Sequence, residues 1–212
     1  MGGFGSTIPP VATPVTTPDL VLASTSRYRR SLLERLGLPF RTIAPACDEE
    51  ALKDPALAPQ QLAEHLALAK AQSLEPSLPQ ATIIGSDQLA AVEVDGHWAI
   101  LGKPGTRERA IDQLALLAGR THLLVTAMVV IHRGVVHRDT DLTRLTMRTL
   151  DRAALARYVD ADQPFDCAGA YKLEARGIAL FERIDSADHT AITGLPLIAL
   201  TRILTEIGYA LP

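Results

Sequence analysis

Leu20-Val-Leu-Ala-Ser-Thr-Ser-Arg-Tyr-Arg-Arg-Ser-Leu-Leu-Glu-Arg-Leu-Gly37 reads as a strand that runs directly into a helix. Leu20 to Ala23 form an apolar run of buried-strand length, and Ser26 has the chemistry of an N-cap. Leu32, Leu33 and Leu36 recur at helical spacing, and Gly37 followed by Pro39 stops the helix. Strand, small hydroxyl loop and helix in that order open an α/β sheet. The charges are unusual for a bare helix start. Arg27, Arg29 and Arg30 crowd the positive end of the macrodipole, which costs on the order of a few tenths of a kcal/mol unless an anion shares the site. The stretch is therefore either a grip for an anion or a solvated basic helix face.

Outward from this unit, helices and strands alternate. Phe40 to Ala44 reads as a second strand, leading to the acidic cluster Asp48-Glu49-Glu50 and a loop rich in Ala and Pro. Pro59 starts a helix with an apolar face of Leu62, Leu66, Ala69 and Ser73 and with Lys70 on its edge, able to reach inward. Ala81 to Val94 reads as strand, small-residue break and strand, with Asp87 just beyond the first β segment. Asp95-Gly96 is a turn, and Trp98 to Leu101 leads to Gly102-Lys103-Pro104. Thr106 to Gly119 is a capped amphipathic helix. His122 to His132 and Val135 to Met147 form a hairpin about Arg133-Gly134. A helix from Asp151 to about Val159, a strand from Ile178 to Arg183 and a last helix begun by Pro196 complete the chain. The expected class is α/β, with a mixed rather than all-parallel sheet because of the hairpin.

Composition narrows the function. The chain has 212 residues, 47% of them hydrophobic, and a net charge of −3, so no global basic field exists to hold a nucleic acid polymer. A small phosphorylated ligand held by local Arg and Lys fits better. The two cysteines, Cys47 and Cys167, have no thiol or histidine partner at metal spacing. No apolar run approaches the roughly 18 residues that span a bilayer, and the start lacks the order of a signal peptide, so a cytoplasmic protein without membrane attachment is expected. Residues 1–18, rich in Gly, Pro and Thr, read as a flexible tail ahead of one α/β domain over residues 19–212. Met1 to Ser6 formally fits a myristoylation pattern, without a second membrane signal beside it.

Three polar clusters each follow an apolar strand: Ser24 with the arginines, Asp87-Gln88, and Lys103. Strand ends of α/β sheets line ligand crevices. Gathered there, the cations would neutralise a polyphosphate while Asp87 and Glu49 held a hard divalent cation. Read singly, Asp87 is also compatible with a turn aspartate, Lys103 with a loop lysine and Glu49 with a solvated acidic loop. Gly102-Lys103 runs into Pro104 and makes no Walker loop, and no dinucleotide fingerprint or nucleophile elbow occurs. The six histidines, at 65, 97, 122, 132, 137 and 189, lack zinc spacing, and most read as surface residues.

Six blocks in order, LVLASTSRYRR, Asp48-Glu49, AKAQSL at 69 to 74, IIGSDQ at 83 to 88, LGKP at 101 to 104, and FDCAGAYKLEARGIALFERI through TGLPLIAL, resemble the Maf family of nucleoside triphosphate pyrophosphatases. The resemblance runs from about Leu20 to about Gly208. It implies an elongated mixed sheet flanked by helices in two lobes around a cleft, a Maf/ITPase-like fold. It also implies hydrolysis of a nucleoside triphosphate to the monophosphate and pyrophosphate with Mg2+ or Mn2+, and a homodimer. By position, Asp87 matches the family's proton acceptor and Glu49 an acidic residue near the metal. Ser24, Arg29, Arg30, Lys70 and Lys103 match polar and cationic active-site positions, with Lys103 among the catalytic ones. Tyr28, Gln88 and Glu174 match positions that set the base and look like the YceF-like branch, associated with 7-methyl-GTP. That branch often carries Trp at the place of Tyr28. Glu174 can accept from the N1–H and amino group of guanine, unless Lys172 or Arg176 ties it up in a salt bridge. The alternatives are a dTTP/UTP or broad housecleaning pyrophosphatase and a nucleotide-binding septum regulator with little turnover.

Overall fold

Two long strands form the spine of the protein. In the computed structural model, which describes residues 19–211, β3 (Thr82–Val94) and β5 (Thr121–His132) pair antiparallel from Thr82↔His132 to Ala91↔Leu123. β1 (Leu20–Ala23) lies parallel to β3, and β2 (Arg41–Ile43) lies parallel to β1. β4 (His97–Leu101) folds back on β3 through the Asp95-Gly96 turn. β6 (Val135–Met147) forms the hairpin with β5, and β7 (Phe181–Asp185) adds to β6. The result is a seven-stranded mixed sheet in the order β2-β1-β3-β5-β6-β7, with β4 also on β3. The tail and the myristoylation pattern expected at the N-terminus lie outside the described residues. Among the described residues, no helix is long and apolar enough to cross a membrane.

The helices start where their caps predict. α1 (Arg27–Glu34) is capped by Ser26, whose hydroxyl accepts from the Arg29 N–H. α3 (Arg107–Leu117) is capped by Thr106, and α4 (Arg152–Asp162) by Asp151. α2 (Pro59–Gln72) has proline in its first turn, and α6 (Leu197–Glu206) follows Pro196 directly. The short α5 (His189–Ile192), capped by Asp188, is an element that periodicity missed because four residues make no pattern.

Three apolar clusters define two lobes. α2 covers one face of the β1–β3–β5 region, where Val21, Ile83, Val129 and Ile131 meet Leu62, Ala63, Leu66 and Ala67. On the opposite face, Leu20, Leu22, Ile84 and Met128 pack against Leu32 and Leu33 of α1 and Leu200, Ile203 and Leu204 of α6. The second lobe uses the far halves of the same two strands: Ala90, Val92 and Leu124 join Leu114 and Leu117 of α3 and Leu155 and Val159 of α4.

Three expectations need correction. The Ala81–Val94 segment has no break. Gly85 pairs with both Ala23 and Val129, and it is glycine because α2 lies so close that a Cβ there would come 2.3 Å from the Ala67 carbonyl oxygen. The strand expected at Ile178–Arg183 begins only at Phe181, because Arg176–Leu180 coil into a 3-10 turn. At its start, Gly177 presses on the Lys172 backbone and donates to the Lys172 carbonyl at 3.0 Å. The buried face of α2 carries Ala63, Ala67, Lys70 and Ala71, one position around from Ala69 and Ser73, so Lys70 points into the protein from the middle of that face. Four of the six histidines are at least partly exposed, in line with the reading of most as surface residues, whereas His122 and His132 are buried.

Candidate active site

The site lies where one edge of β3 changes partner. β1 leaves that edge at Ala23↔Gly85, and β4 takes it up again only at Ala90↔Leu101. Among the described strands, none pairs with Ser86 to Leu89 on that side. Alternation along β3 sends Asp87 to the α2 face and Ser86 and Gln88 to the other. Two adjoining pockets of about 680 and 520 Å³ meet at this window, and both are lined by Ser26, Arg29, Gln88 and Lys103.

The larger pocket holds the carboxylates. Lys70 Nζ reaches from α2 to lie 2.6 Å from Asp87 Oδ1 and 2.9 Å from Glu49 Oε2. Lys70 and Asp87 are buried, whereas Glu49 is half in solvent. Burial pushes the Glu49 pKa up, but the Lys70 hydrogen bond and charge, with Lys103 and Arg29, outweigh it and hold the carboxyl below its ordinary range. Ser24, also buried, accepts from the Ser26 N–H at 3.1 Å, which leaves its own O–H to donate into the pocket. Arg29 Nε donates to the Gly194 carbonyl at 2.9 Å. Burial pulls its pKa down, opposed by Asp87 and Glu49. Lys103 stands on the loop after β4 between the two pockets.

The smaller pocket holds the residues matched to base choice. Tyr28 lines it from α1 and Glu174 from the segment after Tyr171, with Leu124 and Leu173 as apolar wall. Glu174 is exposed and not engaged by its charged neighbours. Lys172 Nζ turns to the carbonyls of Asp162 and Gln163 and to Asp166, and Arg176 turns to Asp162. Gln88 Nε2 donates to Thr126 Oγ1 and to the carbonyls of Ala191 and Ile192, so its amide oxygen is the end left to face the pocket.

Ser24, Tyr28, Arg29, Glu49, Lys70, Asp87, Gln88, Lys103 and Glu174 thus gather about one cleft. Arg30 does not join them. It is exposed, pairs with Glu34 at 3.0 Å, and lies with Leu38 and Phe40 away from both pockets. A charge four residues on was the sequence signal for this intrahelical pair. Sequence reasoning missed Gly194, whose carbonyl also lies 3.0 Å from the Ser86 hydroxyl, and Asp166, which pairs with Arg27 on the lining of the smaller pocket.

Among the described residues, no group of three or more His, Cys, Asp or Glu side chains is placed to hold a metal. The donor set nevertheless fits a hard cation. Asp87 and Glu49 offer oxygens only, they already share one positive charge in Lys70, and magnesium commonly needs one or two protein carboxylates plus water and phosphate. Fold and site together define an α/β protein that sets a cationic cleft against a carboxylate pair.

A sequence model described as Maf-like protein matches residues 19–207, and the chain belongs to that family. It is 50% identical to a 7-methyl-GTP pyrophosphatase of Bdellovibrio bacteriovorus over 186 residues, 88% of this chain and 95% of the relative. It is 48% identical to a 7-methyl-GTP pyrophosphatase of Xanthomonas oryzae pv. oryzae over 195 residues, 92% of this chain and all of the relative. A third, from a Polaromonas species, is 45% identical over 97% of this chain and 92% of its own length.

Proposed function

We propose that this protein is a metal-dependent pyrophosphatase that hydrolyses 7-methyl-GTP to 7-methyl-GMP and pyrophosphate. The observation that carries the reading is the joining of the two pockets at the β3 window, one bearing carboxylates and cations and the other an aromatic ring and a free carboxylate. The names of the relatives supply the substrate, and the chemistry of the smaller pocket agrees. Glu174 accepts from the N1–H and amino group of guanine, where thymine or uracil has one imide donor to offer. Tyr28 supplies a face for a base that N7-methylation has made cationic, an attraction on the order of 1 kcal/mol.

In the larger pocket, Asp87 and Glu49 would hold Mg2+ or Mn2+. When bound, such a cation neutralises phosphate charge and makes a coordinated water more acidic. Asp87 takes the proton of the attacking water on Oδ2, the oxygen that Lys70 leaves free. Arg29 and Lys103 hold the phosphates and stabilise the charge that develops on them, and the Ser24 hydroxyl donates to a phosphate oxygen. Lys70 fixes both carboxylates and balances their charge before substrate arrives. The same reading makes the protein a cytoplasmic homodimer.

Pyrophosphate release from 7-methyl-GTP, GTP, dTTP and UTP tests the proposal, with 7-methyl-GTP expected to turn over fastest. Faster dTTP or UTP would overturn the base assignment. Asp87→Asn is expected to lose at least about a hundredfold in kcat, as removal of a general base does. Near-normal kcat would remove Asp87 from that role.

A further inference from the structure

On the lining of the smaller pocket, one guanidinium makes three contacts at once. The Arg27 Cζ lies 4.8 Å from the centre of the Tyr28 ring, and its Nη2 is 2.8 Å from the Tyr28 hydroxyl and 3.5 Å from Asp166 Oδ2. Arg27 and Tyr28 open α1, whereas Asp166 stands on the loop after α4, so the contact bridges the two lobes. Both charged side chains are mostly exposed, 73% for Arg27 and 51% for Asp166, and an exposed pair of this kind adds little to stability. Its consequence falls on the pocket, which all three residues line.

A flat delocalised cation over the tyrosine ring and hydrogen-bonded to its hydroxyl, with a carboxylate beside it, defines a recognition unit for other flat cations. The 7-methylated guanine ring is planar and carries one positive charge spread over its five-membered ring. The neighbouring Cys167 adds no negative charge, because burial and then Asp166 push its thiol up to about 12. The carboxylates lining this pocket are Asp166 and Glu174, with Glu174 assigned above to the other edge of the base.

We infer that Asp166 is a further specificity residue, taking the positive charge of the methylated base, and that Arg27 is a stand-in resting in that base's place on Tyr28 until substrate displaces it. This rests on the 7-methyl-GTP reading, so its test avoids turnover. Binding of 7-methyl-GMP and of GMP is measured by calorimetry for the wild type, Asp166→Asn and Arg27→Gln. The wild type is expected to prefer 7-methyl-GMP. Asp166→Asn should lose about three- to fivefold of that preference, the range of a partly exposed charge interaction. Arg27→Gln should raise it by a similar factor. A wild-type ratio in Asp166→Asn, or no preference in the wild type, overturns the specificity role. An unchanged or reduced ratio in Arg27→Gln overturns the stand-in. Failure of the substrate reading has a separate signature: no pyrophosphate from 7-methyl-GTP in a protein that still binds 7-methyl-GMP preferentially.

Discussion

At Lys70 a single ammonium faces two carboxylates in unlike surroundings, Asp87 buried and Glu49 half in solvent. Removing it would leave two negative groups against each other across a buried floor, so Lys70 supports fold and chemistry together. His122 presents the opposite case, a titratable residue that the cleft does not use. Its Nε2 lies 3.0 Å from the Tyr171 hydroxyl, its Nδ1 has no hydrogen-bond partner, and burial pulls its pKa down to about 4. The unfolded ring titrates near 6.5, so between there and 4 the unfolded chain binds the extra proton. Stability from this residue is therefore whole above pH ~6.5 and falls as the solution is acidified toward pH ~4, by about 3 kcal/mol in total. Urea unfolding from pH 7 to 4.5 should show that loss in the wild type and a flatter profile in His122→Phe. Parallel profiles would clear His122 of it.

Between elements, the contact of α2 with β3 sets the position of the site. Gly85 lets the helix backbone come down on the strand, and that closeness lets Lys70 reach Asp87, two residues farther along the same face. Gly85→Ala would place a Cβ 2.3 Å from the Ala67 carbonyl oxygen and 2.8 Å from the Ala71 nitrogen, both backbone atoms that cannot turn aside. A loss of about 3 kcal/mol is expected, read as a lowered melting temperature, with activity falling as Lys70 is displaced. A variant as stable and active as the wild type would show that α2 shifts freely. Local signals carry the capped helices and the Arg133-Gly134 hairpin: Ser26 caps as predicted, and Thr106 and Asp151, read as helix starts, are the caps of α3 and α4. Gly85-Ser86 misleads because the reason for the glycine lies on another element. Lys70 needs only its own helix period to be found, whereas Asp166 and Gly194 reach the cleft through loops with no periodicity to read.

For the whole molecule, β3 and β5 each pass unbroken from one lobe to the other, contributing to all three apolar clusters. Lobes joined by two paired, continuous strands resist hinge bending, so adjustment to a nucleotide falls to side chains and loops, as in the release of the Arg27–Asp166 bridge by the base. Small-angle scattering should give the same radius of gyration with and without 7-methyl-GMP. A contraction would place a hinge in the spine. The fold class and the cleft were legible from alternating elements and ordered blocks, but this sharing of strands depends on register across distant segments. The bare window on β3 has one more consequence. An unpaired strand edge is a template for aggregation, yet four residues between β1 and β4 are too few to seat a foreign strand. At this window the sheet can therefore keep backbone open to a small solute without the opening itself becoming a pairing site for another strand.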